Sequence, residues 1–245
     1  MDYREYRPCA RLRPFIRCYW TLRANVTGEA GAQRVFPDGS MELIFHLGEP
    51  FSQRRESGAW ERQAHSLLAG QIWAPIDLAA TRCADVVGVR FQPAGAWPFF
   101  RFPLTGLGGR IESLEDVWGR SVRLWRDRLG EAQDRLAALE DLLLARAPNE
   151  APEFPALCER QYRRRFRERV GVTPKLMARI QRFQQALRRA GTTPLASVAA
   201  ECGYADQSHL VRDFRQFAGM PPSQWLRSRE DVRFFQDALE AESLD

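Results

Sequence analysis

The stretch Thr193-Pro194-Leu195-Ala196-Ser197-Val198-Ala199-Ala200-Glu201-Cys202-Gly203-Tyr204-Ala205-Asp206-Gln207-Ser208-His209-Leu210-Val211-Arg212-Asp213-Phe214-Arg215-Gln216-Phe217 decides how this chain is read. Leu195, Val198, Ala199 and Cys202 recur at helical spacing, and Gly203 ends that helix. Asp206 stands as an N-cap before a second helix that turns Leu210, Phe214 and Phe217 inward. The outward residues of this second helix are Gln207, Ser208, Val211, Arg212 and Arg215. Two short helices joined by a glycine turn make a helix-turn-helix, whose second helix can enter the DNA major groove. The residue types suit base recognition. Glutamine pairs bidentately with adenine, arginine with guanine, and a valine methyl meets the thymine methyl.

Further helices flank this unit. Thr173-Pro174 supplies an N-cap and a first-turn proline to a helix with apolar residues at 176, 180, 183 and 187, and Gly191 lies just past its end. Thr193-Pro194 repeats the same start signal, and Pro221-Pro222 opens a last short helix. Before them, the segment 160–170 puts Tyr162, Phe166 and Val170 on one face and Arg160, Arg163, Arg164 and Arg167 on another. Net charge is +9 over residues 153–229, against +1 before them and −5 after. That concentration is the footprint of a domain that meets a polyanion. Lys175 is the one lysine among 36 basic residues, a preference that GC-rich codon usage explains as well as phosphate recognition does.

The first 95 residues read differently. Segments 15–23, 41–47, 66–73 and 76–93 are apolar runs between turn signals, Pro37-Asp38-Gly39 among them. They predict an antiparallel sandwich or barrel. Leu129, Ala132, Leu136, Leu139 and Leu143 then follow 3-4-3-4 spacing on a helix of about 17 residues. That face either packs on its own domain or pairs with a second copy through Leu129, Leu136, Leu139 and Leu143. Three prolines between 148 and 155 mark a linker. The expected division is a β-rich module with C-terminal helices at 1–147, a linker at 148–156, a helical DNA-binding domain at 157–229 and an acidic tail at 230–245. In that tail Val232, Phe235 and Leu239 share one side.

Composition narrows the function. With 44% hydrophobic and 27% charged residues the chain is an ordinary globular protein. No apolar run approaches the roughly 20 residues that span a bilayer, and no apolar segment follows the charged N-terminus, so a cytoplasmic protein is expected. Five scattered cysteines and three separated histidines fit neither a disulfide framework nor a metal site, and no cofactor is expected.

Residues 194–222 closely resemble the signature of the AraC/XylS family of bacterial transcription regulators, from the first helix of the second helix-turn-helix to the Gly219-Met220-Pro221-Pro222 that follows its recognition helix. Residues 159–174 resemble the family's first recognition helix, and 174–190 the helix that joins its two motifs. Cys18-Tyr19-Trp20, Pro37-Asp38-Gly39 and 88–95 resemble an uncharacterised sensor-like domain attached to some members. The resemblance implies an α+β protein, a cupin-like N-terminal barrel or sandwich with helices followed by an all-α helix-turn-helix domain. It implies binding to double-stranded DNA, usually as a dimer, and control by a small-molecule effector. Base readout transfers onto Gln207, Ser208, Val211 and Arg212, and first-motif contacts onto Arg160, Arg163 and Arg164, with Arg167 and Arg215 as phosphate contacts. One departure stands out. The family places a leading and a supporting helix before the first recognition helix, and here a proline-rich stretch occupies the supporting helix's place. Either the leucine-rich helix substitutes, or the first motif is truncated.

Two other readings carry specific residues. Glu42 and His46 lie four apart on one strand, on the same face, as an acid/base pair would, yet no nucleophile triad or phosphate loop accompanies them, and an enzyme is not expected. Trp20, Glu42 and Arg90 either line an effector cavity or make a structural ion pair beside a core tryptophan. A truncated regulator that pairs with a relative through its leucine face is the alternative function.

Overall fold

The computed structural model describes residues 2–25, 31–80, 83–148 and 158–228. The linker from 149 onward and the acidic tail with Val232, Phe235 and Leu239 lie outside the described residues.

Two antiparallel sheets build the N-terminal half, and they face each other as open sheets instead of closing into one barrel. The larger sheet runs β1 (Asp2–Tyr6), β2 (Ile16–Asn25), β9 (Cys83–Phe91), β4 (Glu42–His46), β7 (Ser66–Ala69) and β10 (Ile111–Ser113). The smaller runs β3 (Gln33–Val35), β8 (Ile76–Ala79), β5 (Ser52–Arg54) and β6 (Trp60–Arg62). Successive side chains of a strand point to opposite faces, and the central strands use both. Leu43, Phe45, Val87, Val89 and Phe91 enter the main core, under the helices that follow. Trp20, Leu22 and Val86 turn the other way, toward Leu78 of the smaller sheet and Phe51 just before β5. The apolar strands were legible in the sequence. β1, β5, β6 and β10 were not, because they are short or polar and lie at sheet edges or on the exposed hairpin, and the segment 76–93 divides into β8 and β9 of different sheets.

The leucine stripe corrects one expectation. After the short helices α1 (Trp97–Phe100) and α2 (Leu114–Trp118), there are, in place of a single helix, α3 (Ser121–Glu131) and α4 (Arg135–Leu144), separated where Asp134 turns extended and caps α4 by accepting from the Leu136 and Ala137 amides. Leu129, Leu139 and Leu143 are fully buried in the chain's own core, and Leu136 packs against it. They therefore offer no dimer seam. The sheet of the same domain had already claimed that face.

The C-terminal half consists of α5 (Glu159–Val170), α6 (Pro174–Arg189), α7 (Leu195–Glu201), α8 (Gln207–Ala218) and α9 (Pro222–Ser228). Thr173 caps α6 through its Oγ1, with Pro174 in the first turn. The second Thr-Pro pair behaves differently. Thr193 makes a bridge back to Ala190, and the carbonyl of Pro194 starts α7 without a side-chain cap.

The two halves share a core. Phe36, which follows β3, is 1% exposed and packs with Ile180 and Phe183 of α6. Gln184 Nε2 donates to the Pro37 carbonyl at 2.6 Å, and Gly39, at φ +78°, leaves room for the Met177 thioether where a Cβ would collide. The Pro37-Asp38-Gly39 turn is thus the N-terminal domain's foot on α6.

Candidate nucleic-acid interface

α8 is held on three sides and open on the fourth. At its start Asp206 accepts from the His209 amide, meeting one of the four amides a helix leaves unpaired. The turn before it is fixed by α7's end: the Tyr204 amide bonds to Ala199 and the Gly203 amide to Ala200, the double closure that a left-handed glycine permits. Beneath it, Leu210, Phe214 and Phe217 are fully buried, with Phe183 of α6 set between Phe214 at 5.2 Å and Phe217 at 5.4 Å. At its end Gly219 takes a left-handed φ, and Arg34 Nη1 donates to the Ala218 carbonyl at 3.4 Å while its other nitrogens grip Asp77 at 2.7 and 2.9 Å. A cation there also opposes the helix's negative end.

Two α6 arginines complete the mounting. Arg179 Nη2 bonds Asp213 at 2.6 Å, and the Asp213 side chain is 1% exposed. Arg182 donates to the Gly203 carbonyl at 3.0 Å and lies over the Tyr204 ring. No sequence signal marked these residues, because each reaches across at least 21 positions.

On the open side of α8 stand Gln207, Ser208, Arg212 and Arg215, all exposed, with Val211 half-buried among them. Arg212 shares a groove with Lys175 and Arg182 between α6 and α8. Arg167, exposed on α5, lines a second groove with Lys175, Arg179 and Gln216. Cations from three helices thus surround the outward edge of α8. Arg160, Arg163 and Arg164 are also exposed, but on α5 alone, where Arg163 pairs with Glu159 and Arg164 with Glu168.

The support of α5 comes from the N-terminal domain. Val170 and Val172 pack with Ala94 and Met177, Arg169 lies over the Trp97 ring at 4.6 Å, and α5 rests on the 3-10 turn Leu104–Gly106. The segment 94–106 of the N-terminal domain thus packs against α5.

Between the sheets of the N-terminal half lies a cavity of about 140 Å³. Trp20, Glu42 and Arg90 all line it, and so does Phe36. Glu42 and Arg90 face each other across β4 and β9 and bond at 2.6 Å, so the ion pair and the cavity wall are the same residues. Burial raises the pKa of Glu42, and the neighbouring carboxylates hold Arg90 firmly charged. His46 lines the cavity at the other end of β4, 1% exposed, edge-on to Phe51. Glu42 therefore works with Arg90 and not as His46's acid/base partner.

Residues 156–228 match a family described as a helix-turn-helix domain. The chain carries an AraC-type DNA-binding domain. It is a DNA-binding transcription regulator. Residues 4–112, ahead of the AraC-type domain, match a domain of unknown function, DUF6597. A comparison with curated proteins finds no match. Among solved structures, an apo variant of ToxT from Vibrio cholerae is similar at 10% identity and TM-score 0.40, covering 85% of this chain and 97% of its own. ToxT of the same organism bound to an unsaturated fatty acid is similar at 11% identity and TM-score 0.36, covering 84% and 93%. The AraC-like transcriptional activator CuxR is similar at 10% identity and TM-score 0.28, covering 97% and 87%. Among the described residues no helix is long and apolar enough to cross a membrane.

Proposed function

We propose that the AraC-type domain, residues 157–229, lays α8 in the major groove of duplex DNA with Gln207, Ser208, Val211 and Arg212 at base edges. Arg215 and Arg167 meet the flanking phosphates, and Lys175 and Arg182 add charge to the same edge. The observation that carries this reading is the division of α8 into a sealed face and an exposed one. Each apolar side chain of the helix but Val211 is buried, and the rest of the groove-facing set is polar or cationic. The first motif contributes less, since two of its three arginines are paired along their own helix.

The β-rich domain, residues 1–147, is the sensor in this proposal, with the inter-sheet cavity as the effector site. Phe36 supports that role: it lines the cavity and is also part of the AraC-type domain's core. An occupant of the cavity touches a side chain that α6 needs, and α6 carries α8. Differential contact of this kind is what a ligand requires to shift a conformational equilibrium.

A salt titration of full-length protein on promoter DNA tests the first part. Each phosphate contact adds about −0.9 to the slope of log K against log salt. A slope steeper than about −3 is expected from the four flanking cations, and a slope near zero sinks the proposal.

A further inference from the structure

We propose that the inter-sheet cavity binds a small hydrophobic cation, a protonated amine carried on an apolar body the size of one aromatic ring. The inference rests on the effector reading above and names the ligand class.

Size sets the body. An enclosed apolar space of about 150 Å³ accepts a benzene ring, and this cavity measures about 140 Å³. Its walls are mostly apolar, with Ile44, Ile76 and Leu78 from the two sheets. Tyr3 and Trp20 stack at 6.0 Å along one side. The Trp20 ring lies flat over Gly88, where any Cβ would strike it, so β9 is shaped to let the indole cover the floor. An exposed aromatic face in a desolvated site attracts a cation.

Charge sets the sign. Asp38, Glu42 and Arg90 are the charged residues that line the cavity, two carboxylates against one guanidinium. Arg90 is already engaged: its Nε lies 2.6 Å from Glu42 and 3.6 Å from Asp38, and its Nη1 lies 2.9 Å from Glu5. An anionic ligand entering here meets a surplus of negative charge, while an ammonium group restores balance. Asp38 is the less engaged of the two carboxylates, 3.6 Å from Arg90 against 2.6 Å for Glu42, and can face an ammonium.

Independent of the acids, the buried ring of His46 lines the cavity, 1% exposed, with neither nitrogen in a hydrogen bond of ordinary geometry and Gln63 the polar group that faces it. Burial keeps this imidazole neutral, so one ring nitrogen is an acceptor that an ammonium can meet, and a buried polar group of this kind is costly unless something polar visits it.

The test is calorimetric titration of the full chain with three ligands of matched length: 3-phenylpropan-1-amine, 3-phenylpropan-1-ol and 3-phenylpropionate. The amine is expected to bind at least tenfold tighter than the alcohol, with no detectable binding of the carboxylate. Asp38→Asn, which keeps the turn acceptor for the Ser40 amide, is expected to weaken the amine at least fivefold without changing the circular dichroism spectrum. Glu42→Gln should do the same, and Asp38→Asn carries the test if that buried pair is needed for folding. Equal or tighter binding of the carboxylate or the alcohol overturns the cation and leaves the effector site standing. Amine binding untouched by Asp38→Asn also overturns the cation. No binding of any of the three at millimolar concentration overturns both the ligand class and the effector site.

Discussion

Arg212 and Asp213 are neighbours on α8 with opposite surroundings, and their substitutions should separate recognition from folding. Arg212 is exposed beside the groove with Lys175 and Arg182. Arg212→Ala is expected to cost about 1–3 kcal/mol on specific DNA and much less on random DNA, measured by gel shift, with the melting temperature unchanged. Equal losses on both DNAs would mean that Arg212 touches phosphate only. Asp213→Ala instead removes the buried carboxylate that Arg179 bonds, leaving it Gln216 alone, and should destabilise the fold by about 1–3 kcal/mol, weakening all DNA binding alike. The exposed set on α8 was legible because a 3.6-residue period sorts inward from outward residues. The Arg179–Asp213 contact was not, since pairing across 34 positions leaves no local mark. A third residue links the fold to pH. Burial holds His46 neutral and lowers its pKa from 6.5 to about 4. Below pH 6.5 the unfolded chain takes up a proton that the folded chain refuses, so stability falls as pH drops from about 6.5 toward 4, by up to about 1.4 kcal/mol per unit. Glu42, raised by burial, acts with the opposite sign in wild type and variant alike. His46→Gln should therefore lose less stability to urea between pH 7 and pH 5 than wild type does, and identical losses would contradict a buried neutral imidazole.

At the scale of elements, the leucine stripe shows what periodicity establishes and what it leaves open. Spacing at three and four residues shows that a helix face is covered, and it carries no information about what covers it. Here the cover is the helix's own domain, with Asp134 breaking the run into α3 and α4. Leu139→Ala is accordingly expected to destabilise the chain by about 2–5 kcal/mol, with the mass from sedimentation equilibrium unchanged. A fall in mass with stability preserved would restore the dimer seam. The first motif shows the converse. Its sequence puts a proline-rich stretch where a supporting helix is expected, and α5 packs on residues 94–106, some 60 positions upstream and without any helix-turn-helix signal.

For the whole molecule, the question is whether the β-rich and DNA-binding domains fold as separate bodies, and Phe36 argues that they do not. Its ring meets Phe183 edge-on at 6.2 Å, and Phe183 in turn touches Phe214 and Phe217 of the recognition helix. The Gln184–Pro37 bond and the Arg34–Ala218 bond lie close by in sequence. A ring buried at such a junction contributes to two cores at once, so removing it should uncouple them as well as weaken them. Phe36→Ala is expected to cost about 3–5 kcal/mol. In a differential scanning calorimeter it should split one cooperative transition into two, the lower belonging to the AraC-type domain. The turn at Pro37-Asp38-Gly39 and the polar bonds remain in this variant, so specific DNA binding at low temperature should persist. Its response to a cavity ligand should not, because the side chain common to both cores is gone. A variant that still melts as one unit, or that binds DNA with an unaltered ligand response, would show that the coupling runs by another route.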